Sequence, residues 1–387
     1  MKKYLLFTFL IIINLYTPYT LWIATIVNLF FALFTLKQIK QTPRFDFFVI
    51  FISIIILLWC ILVSFVNDNL SAYVIGRHAR IVFNAILLSL IVRNTKILPS
   101  LFLKSIGIAL FVNVICVYIQ TLFPVSKEFF LSITEYTKEI QNIRAFGLYS
   151  SYDACGLNIC FGMCFWGILY YYKKKAKYLL LLSITFLSAI FISRTTIVVA
   201  SVFFVIFISI SFKVQKVSYR ILTIALASFV FFLFYETAIK LLSYNSDDYV
   251  DYAGGSYTKH SFDVLTGRML FLPQSVFSTI IGEGIDQKRS DIGYIKQIFM
   301  IGLIGVAMIL CWYRYGILHL KKEIKDNSPI SIDSLIIYKV ILILFLLMLI
   351  FNFKLLLLFG RGFNDLYIIL IFALNKFLQE KYVQTLK

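Results

Sequence analysis

Long apolar runs separated by short polar breaks fill this chain from residue 4 almost to its end. A helix needs about 20 residues to cross a bilayer. At that length the pattern predicts spans over 4–16, 20–36, 45–66, 74–92, 97–123, 154–172, 178–192, 195–212, 221–242, 292–313, 332–352 and 364–377. The expected fold is therefore all-α, a polytopic helical bundle of about twelve transmembrane helices. It forms a single integral membrane domain over 1–387. Pro18 within 16–20 predicts a tight hairpin between the first two runs. The apolar stretch 178–212 is too long for one helix; its break at Ser193-Arg194-Thr195-Thr196 predicts two short spans meeting near the surface.

The polar breaks alternate in chemistry. Loops 37–44, 93–96, 173–177, 213–220 and 314–325, with both tails, are lysine-rich or mixed basic, as cytoplasmic loops are. Both termini are accordingly expected in the cytoplasm. The opposite face receives two larger loops, 124–153 and 243–291, with most of the carboxylates outside the spans.

Composition fits this pattern. Of 387 residues 60% are hydrophobic and 14% charged, where a soluble domain carries about a quarter charged; the mean hydropathy is +0.88. A net charge of +18 could point to nucleic acid. The positive-inside bias accounts for most of it, so membrane lipid and not nucleic acid is the expected partner. Six scattered cysteines without a C-x-x-C pair, and only three histidines, indicate neither a metal site nor a disulfide framework. No cofactor is expected. Met1-Lys2-Lys3 before an apolar run resembles a signal peptide but lacks a small-residue cleavage site, so it reads as a retained first span.

Against the inward lysine bias, the outer face keeps Arg77, Arg80, Arg144, Arg194, Arg268, Arg289 and Arg361. Arginine suits bidentate recognition of phosphate and carboxylate. Single arginines also snorkel at span ends; seven on one face favour an anionic ligand. Arg194 is the sharpest case. A charge on a lipid-exposed helix costs about 2.5–3.5 kcal/mol on insertion scales, and broken backbone at such depth is tolerated where it lines a polar cavity.

The segment from Arg268 to Gly305 reads RMLFLPQSVFSTIIGEGIDQKRSDIGYIKQIFMIGLIG. It holds Gly282-Glu283-Gly284, Ser290-Asp291-Ile292-Gly293-Tyr294 and Gly302-Leu303-Ile304-Gly305 in that order, with an Arg-x15-Gly spacing from Arg268 to Gly284. This resembles the large outer loop and following helix of the O-antigen polymerases, the Wzy type of oligosaccharide repeat-unit polymerase. Arg144-Ala145-Phe146-Gly147-Leu148, with Asp153 and Gly156 beyond it, and Ser193-Arg194-Thr195 are similar to motifs of the same family and of the related O-antigen ligases. Two departures stand out: Gly156 falls one residue late for an Arg-x10-Gly spacing from Arg144, and Ser290-Asp291 occupies the place where ligases carry a histidine. The second departure favours polymerase over ligase.

The resemblance implies a GT-C-like helical fold in the bacterial plasma (inner) membrane, with an active site facing the periplasm or exterior. It implies a metal-independent glycosyltransferase that joins undecaprenyl-pyrophosphate-linked oligosaccharide repeat units into O-antigen or a related surface polysaccharide, with a chain-length regulator as a possible partner. Arginines would hold the pyrophosphate and stabilise the charge developing as the glycosyl–phosphate bond breaks. Arg268 and Arg194 lead as catalytic candidates. Arg144, Arg77, Arg80, Arg289, Arg361 and Tyr294 follow for pyrophosphate or glycan binding. Asp291 is the first candidate for the base that accepts the acceptor hydroxyl's proton, against an ordinary N-cap role; Asp153, Glu283 and Asp263 stand behind it. Gly302 and Gly305 read as small residues for close helix packing. An O-antigen ligase, a lipid-linked oligosaccharide flippase and, with His78, a membrane acyltransferase remain the alternatives.

Overall fold

The computed structural model describes residues 2–16, 22–35, 43–134, 144–149, 151–214, 228, 232, 269–287, 290–327, 329–360 and 362–385. Among them every regular element is helical and no strand occurs. In chain order they are α1 (Lys2–Tyr16), α2 (Ile23–Thr35), α3 (Arg44–Val66), α4 (Ala72–Asn94), α5 (Pro99–Leu122), α6 (Ser126–Thr134), α7 (Tyr152–Lys173), α8 (Ala176–Ser188), α9 (Arg194–Val214), α10 (Val276–Ile281), α11 (Gly293–Asp326), α12 (Ile332–Phe351) and α13 (Phe363–Thr385). Serines start several of them. Ser71, Ser151 and Ser331 cap α4, α7 and α12, each accepting a bond from the backbone N–H three residues on.

Six of these helices, α3, α4, α5, α7, α11 and α12, are long and apolar enough to cross a bilayer, and four shorter apolar helices lie at Tyr4–Tyr16, Ile23–Thr35, Ala176–Phe191 and Thr195–Ile210. The hairpin expected at 16–20 and the span expected at 221–242 lie outside the described residues, apart from Tyr16, Ser228 and Phe232. Phenylalanine and leucine side chains such as Phe34, Phe47, Leu58 and Phe65 stand bare on the helix surfaces. Apolar exposure on that scale suits a lipid surround and not water.

The chain divides into two compact units, 1–109 with 269–387, and 110–268; the boundary falls within α5. In the first unit α13 is the central helix, packed by α1, α4, α11 and α12, with Leu366–Leu374 buried throughout. That position explains a sequence less apolar than a lipid-facing span. Asp365, Asn375 and Lys376 are buried with it and meet polar partners on its neighbours. In the second unit α7 is the buried helix, held between α8 and α9. The expected break between α8 and α9 is present, as a 3-10 turn at Ala189–Phe191 followed by Ser193, whose hydroxyl accepts from the Thr196 N–H at 3.3 Å.

Helix α11 is not straight. Gly302 has φ 67°, ψ 179° within it, a region open essentially to glycine alone. The short α10 packs against this kink, and Gly282 at its end lies directly on Gly302.

Candidate functional site

The first unit has two polar ends, and α4 reaches both. Near its start Arg77, Arg80 and Asn84 recur at helical spacing on one face; near its finish stand Ser89 and Arg93. Both ends hold an arginine–aspartate pair, buried at the start and part-buried at the finish, and the pairs differ in how they are satisfied.

At the far end Arg93 makes a two-pronged contact with Asp46, Nη2 to Oδ1 at 2.7 Å and Nε to Oδ2 at 2.9 Å. Its remaining terminal nitrogen donates to Gln379 Oε1 at 2.9 Å. Asp46 also accepts from Ser89 Oγ at 2.7 Å and Asn375 Nδ2 at 3.1 Å. Lys376 beside it donates to the carbonyls of Val92 and Thr95 at the end of α4. Every charge here is matched, as a buried pair must be to offset its desolvation.

Near the start of α4, Arg80 is 1% exposed and spends one nitrogen, Nη1, on Asp365 Oδ2 at 2.8 Å. Its Nε and Nη2 are buried and have no acceptor among the described residues. Asp365 has both oxygens engaged. Its Oδ2 also accepts from the Gly362 N–H at 3.1 Å, and its Oδ1 from Asn84 Nδ2 at 3.0 Å. Asn84 Oδ1 in turn accepts from Asn28 at 3.3 Å, and Asn28 and Asn14 exchange two amide bonds of 2.9 Å. This chain ties α1, α2, α4 and α13 together around Asp365 and leaves Arg80 with open donors. An unpaired buried donor costs roughly 1–3 kcal/mol, more when charged, so the arrangement is incomplete without an acceptor.

Arg77, one turn before Arg80, donates Nε to Phe359 O at 3.3 Å and Nη2 to Leu356 O at 3.1 Å. Phe359 sits at φ 55°, a strained place for a bulky side chain. Its carbonyl is held by Arg77, its N–H donates to Tyr313 Oη at 3.1 Å, and its ring packs on His78 and Trp312. Strain held in place by surrounding contacts gathers where a ligand site must be rigid. Tyr313 also donates to Asn364 Oδ1 at 2.6 Å, and Asn364 keeps a buried Nδ2 without an acceptor among the described residues. The Asn352 side-chain oxygen fastens the same loop by accepting from the N–H groups of Leu357 and Leu358.

The 282–287 stretch lies against the end of α3 and against α11. The Glu283 N–H donates to Phe299 O at 2.7 Å, and Asn67 donates to Gly282 O at 3.2 Å. Burial pushes the Glu283 carboxyl above the usual range. Asp286 follows with a buried Oδ1 that has no donor among the described residues, and its charge acts on Arg77.

Of the residues singled out by sequence, Arg77 and Arg80 are brought together here. Arg268, Arg289, Arg361 and Asp263 lie outside the described residues, and Arg194 is described only as the first residue of α9. Asp291 is exposed just ahead of α11, whose N-cap is Ile292; the buried Ser290 hydroxyl accepts from the Ile292 N–H and donates to Met269 O. Tyr294 commits its hydroxyl to Leu349 O at 2.9 Å.

Arg144 belongs to the second unit, where its guanidinium lies over the Tyr152 ring at 5.7 Å. The turn after it is clamped by amides. Gln120 accepts from the N–H groups of Phe146 and Gly147, and Asn113 accepts from Leu148. Two motifs meet in this unit, for the Ala145 N–H donates to Phe191 O at 2.6 Å, and Gly156 lies against Thr196.

Sequence reading missed Asp365, Asn364, Asp286 and the three asparagines. A signal was available for most of them: an ionisable or amide side chain inside an apolar span is expensive and marks a paired or functional position. No protein-family model and no curated protein matches the chain.

Proposed function

We propose that this chain joins oligosaccharide repeat units, carried on a polyprenyl pyrophosphate, into a surface polysaccharide on the outer face of a bacterial plasma membrane. One observation carries the reading: Arg80 is buried with two nitrogens unanswered among the described residues, next to a second buried arginine, Arg77. The two unanswered nitrogens of Arg80, beside a second arginine, suit the oxygens of a pyrophosphate. They would stabilise the charge that builds on the leaving group as the glycosyl bond breaks. The matched Arg93–Asp46 pair at the other end of α4 offers no such opening. The motif resemblance supplies the reaction class and implies an anion-binding role for Arg268. A chain-length regulator is the partner the same resemblance implies.

The test is a gel of surface glycan from a strain deleted for the gene and complemented with wild type, Arg80→Lys or Arg268→Ala. A single repeat unit on the acceptor in the deletion strain, with a ladder restored by wild type and by neither variant at equal protein level, is the expected result. Complete loss of repeat unit from the acceptor in the deletion strain overturns the polymerase reading in favour of ligase or flippase.

A further inference from the structure

We infer that Asp286 is the group that takes the proton from the acceptor sugar's hydroxyl, a role that rests on the polymerase reading above. In the first unit the carboxylates at this end of the helices are differently employed. Asp365 has both oxygens bonded, to Arg80, Gly362 and Asn84. Asp291 stands exposed ahead of α11, and Asp68 stands exposed in the turn between α3 and α4. Glu283 is half-buried and tied through its backbone N–H to Phe299 of α11. Asp286 alone of these combines a buried oxygen free of any donor among the described residues with partial exposure of the rest of the side chain.

Its place is fixed from both sides of the preceding turn. Gly284 packs its backbone on Ser64, where an added Cβ would stand 3.0 Å from the Ser64 Cα. Glu283 is bonded through its N–H to α11. Two residues on, the Asp286 carboxylate lies within electrostatic reach of Arg77, which is one turn from Arg80 and its unanswered nitrogens. The unanswered groups of this end are thus of two kinds: donors on Arg80, fit for phosphate oxygens, and an acceptor on Asp286, fit for a hydroxyl. A phosphate alone would use only the donors. A glycosyl phosphate together with an incoming alcohol uses both.

The step balances without a further reactant. The acceptor hydroxyl oxygen forms a bond to the anomeric carbon of the growing chain while its proton passes to Asp286 Oδ1. The bond from that carbon to the phosphate oxygen breaks, and the polyprenyl pyrophosphate leaves with the electron pair, its charge held by the arginines. The proton then leaves Asp286 to water or to the released pyrophosphate. Before substrate arrives, the unpaired buried oxygen is a cost; a donated hydroxyl removes it.

The experiment uses membranes containing the full chain and the lipid-linked repeat unit extracted from the deletion strain, and follows polymer formed per unit of protein. General-base catalysis contributes typically 10²–10⁴-fold. Asp286→Asn is expected to be about 100-fold slower or more. Asp286→Glu should restore part of the rate. Inorganic pyrophosphate should protect Asp286→Asn against heat as it protects wild type, because the arginines remain. Asp286→Asn activity within a few fold of wild type overturns the inference. So does loss of both activity and pyrophosphate protection in Asp286→Asn and Asp286→Glu alike, which is the mark of a structural role. If wild-type membranes make no polymer from this substrate, the polymerase reading falls first and the inference with it.

Discussion

Gly282 rests on the backbone of Gly302, and a Cβ built on either residue would run into the main chain of the other's segment. Both have positive φ, 101° and 67°, with ψ near 180°. The contact is where the 276–283 segment meets the kink of α11. It brings together two glycine motifs separated by some twenty residues of sequence, and fixes the turn that leads to Asp286.

Alanine at Gly302 should therefore be costly twice over, through clash and through backbone strain. The strain alone is about 1–3 kcal/mol. The expected result is a lower thermal midpoint for the purified full-length protein in lipid nanodiscs, with Gly282→Ala behaving similarly. An unchanged midpoint for both would mean that the kink is not built on this contact.

The matched pair at the other end makes a different prediction. Removing one partner of a fully buried ion pair costs about 3–5 kcal/mol; Arg93 is part-exposed, so the loss here should fall below that range. Asp46→Ala should strip Arg93 of a two-pronged partner and lower stability and membrane level, while polymer made per surviving molecule stays near wild type. A specific activity that falls further than protein level would place Asp46 in function and not in architecture.

Asn14 and Asn28 exchange two amide hydrogen bonds between α1 and α2. Side-chain hydrogen bonds between helices in membranes average about 0.6 kcal/mol and reach about 1.7. A double-mutant cycle with Asn14→Ala and Asn28→Ala, read by thermal unfolding, should give a coupling in that range. Strictly additive effects would show that the pair contributes nothing to docking α1 on α2.

How much of this was legible beforehand depends on what each residue's signal rests on. Apolar run length is local, so α3, α4, α5, α7 and α12 fall close to their expected bounds. The break before Arg194 was legible because polar residues interrupt one apolar run. The fold's centre was not. Helix α13 reads as one span among many, and only packing reveals that burial on every side lets it carry Asp365 and Lys376. The arginines were chosen by residue type and side of the membrane, which names Arg77 and Arg80 but cannot say that Asp365 occupies one prong of Arg80 and leaves two nitrogens open. Gly302 was read as a small packing residue; its kink and its contact with Gly282 depend on a pairing twenty residues apart that no local pattern encodes. Asp291 was favoured because it precedes a helix, whereas Asp286 is distinguished only by an unpaired oxygen.

The most direct measurement is a titration of inorganic pyrophosphate against the thermal midpoint of the full-length protein in nanodiscs, for wild type, Arg80→Lys and Arg93→Lys. Each charge-assisted hydrogen bond is worth about 1.5–3 kcal/mol, so losing one open prong of Arg80 should weaken pyrophosphate at least about tenfold. Arg93→Lys should lower the starting midpoint and leave the affinity near wild type. Equal affinity in wild type and Arg80→Lys would contradict the account, because the open face of Arg80 would then not be where the anion binds.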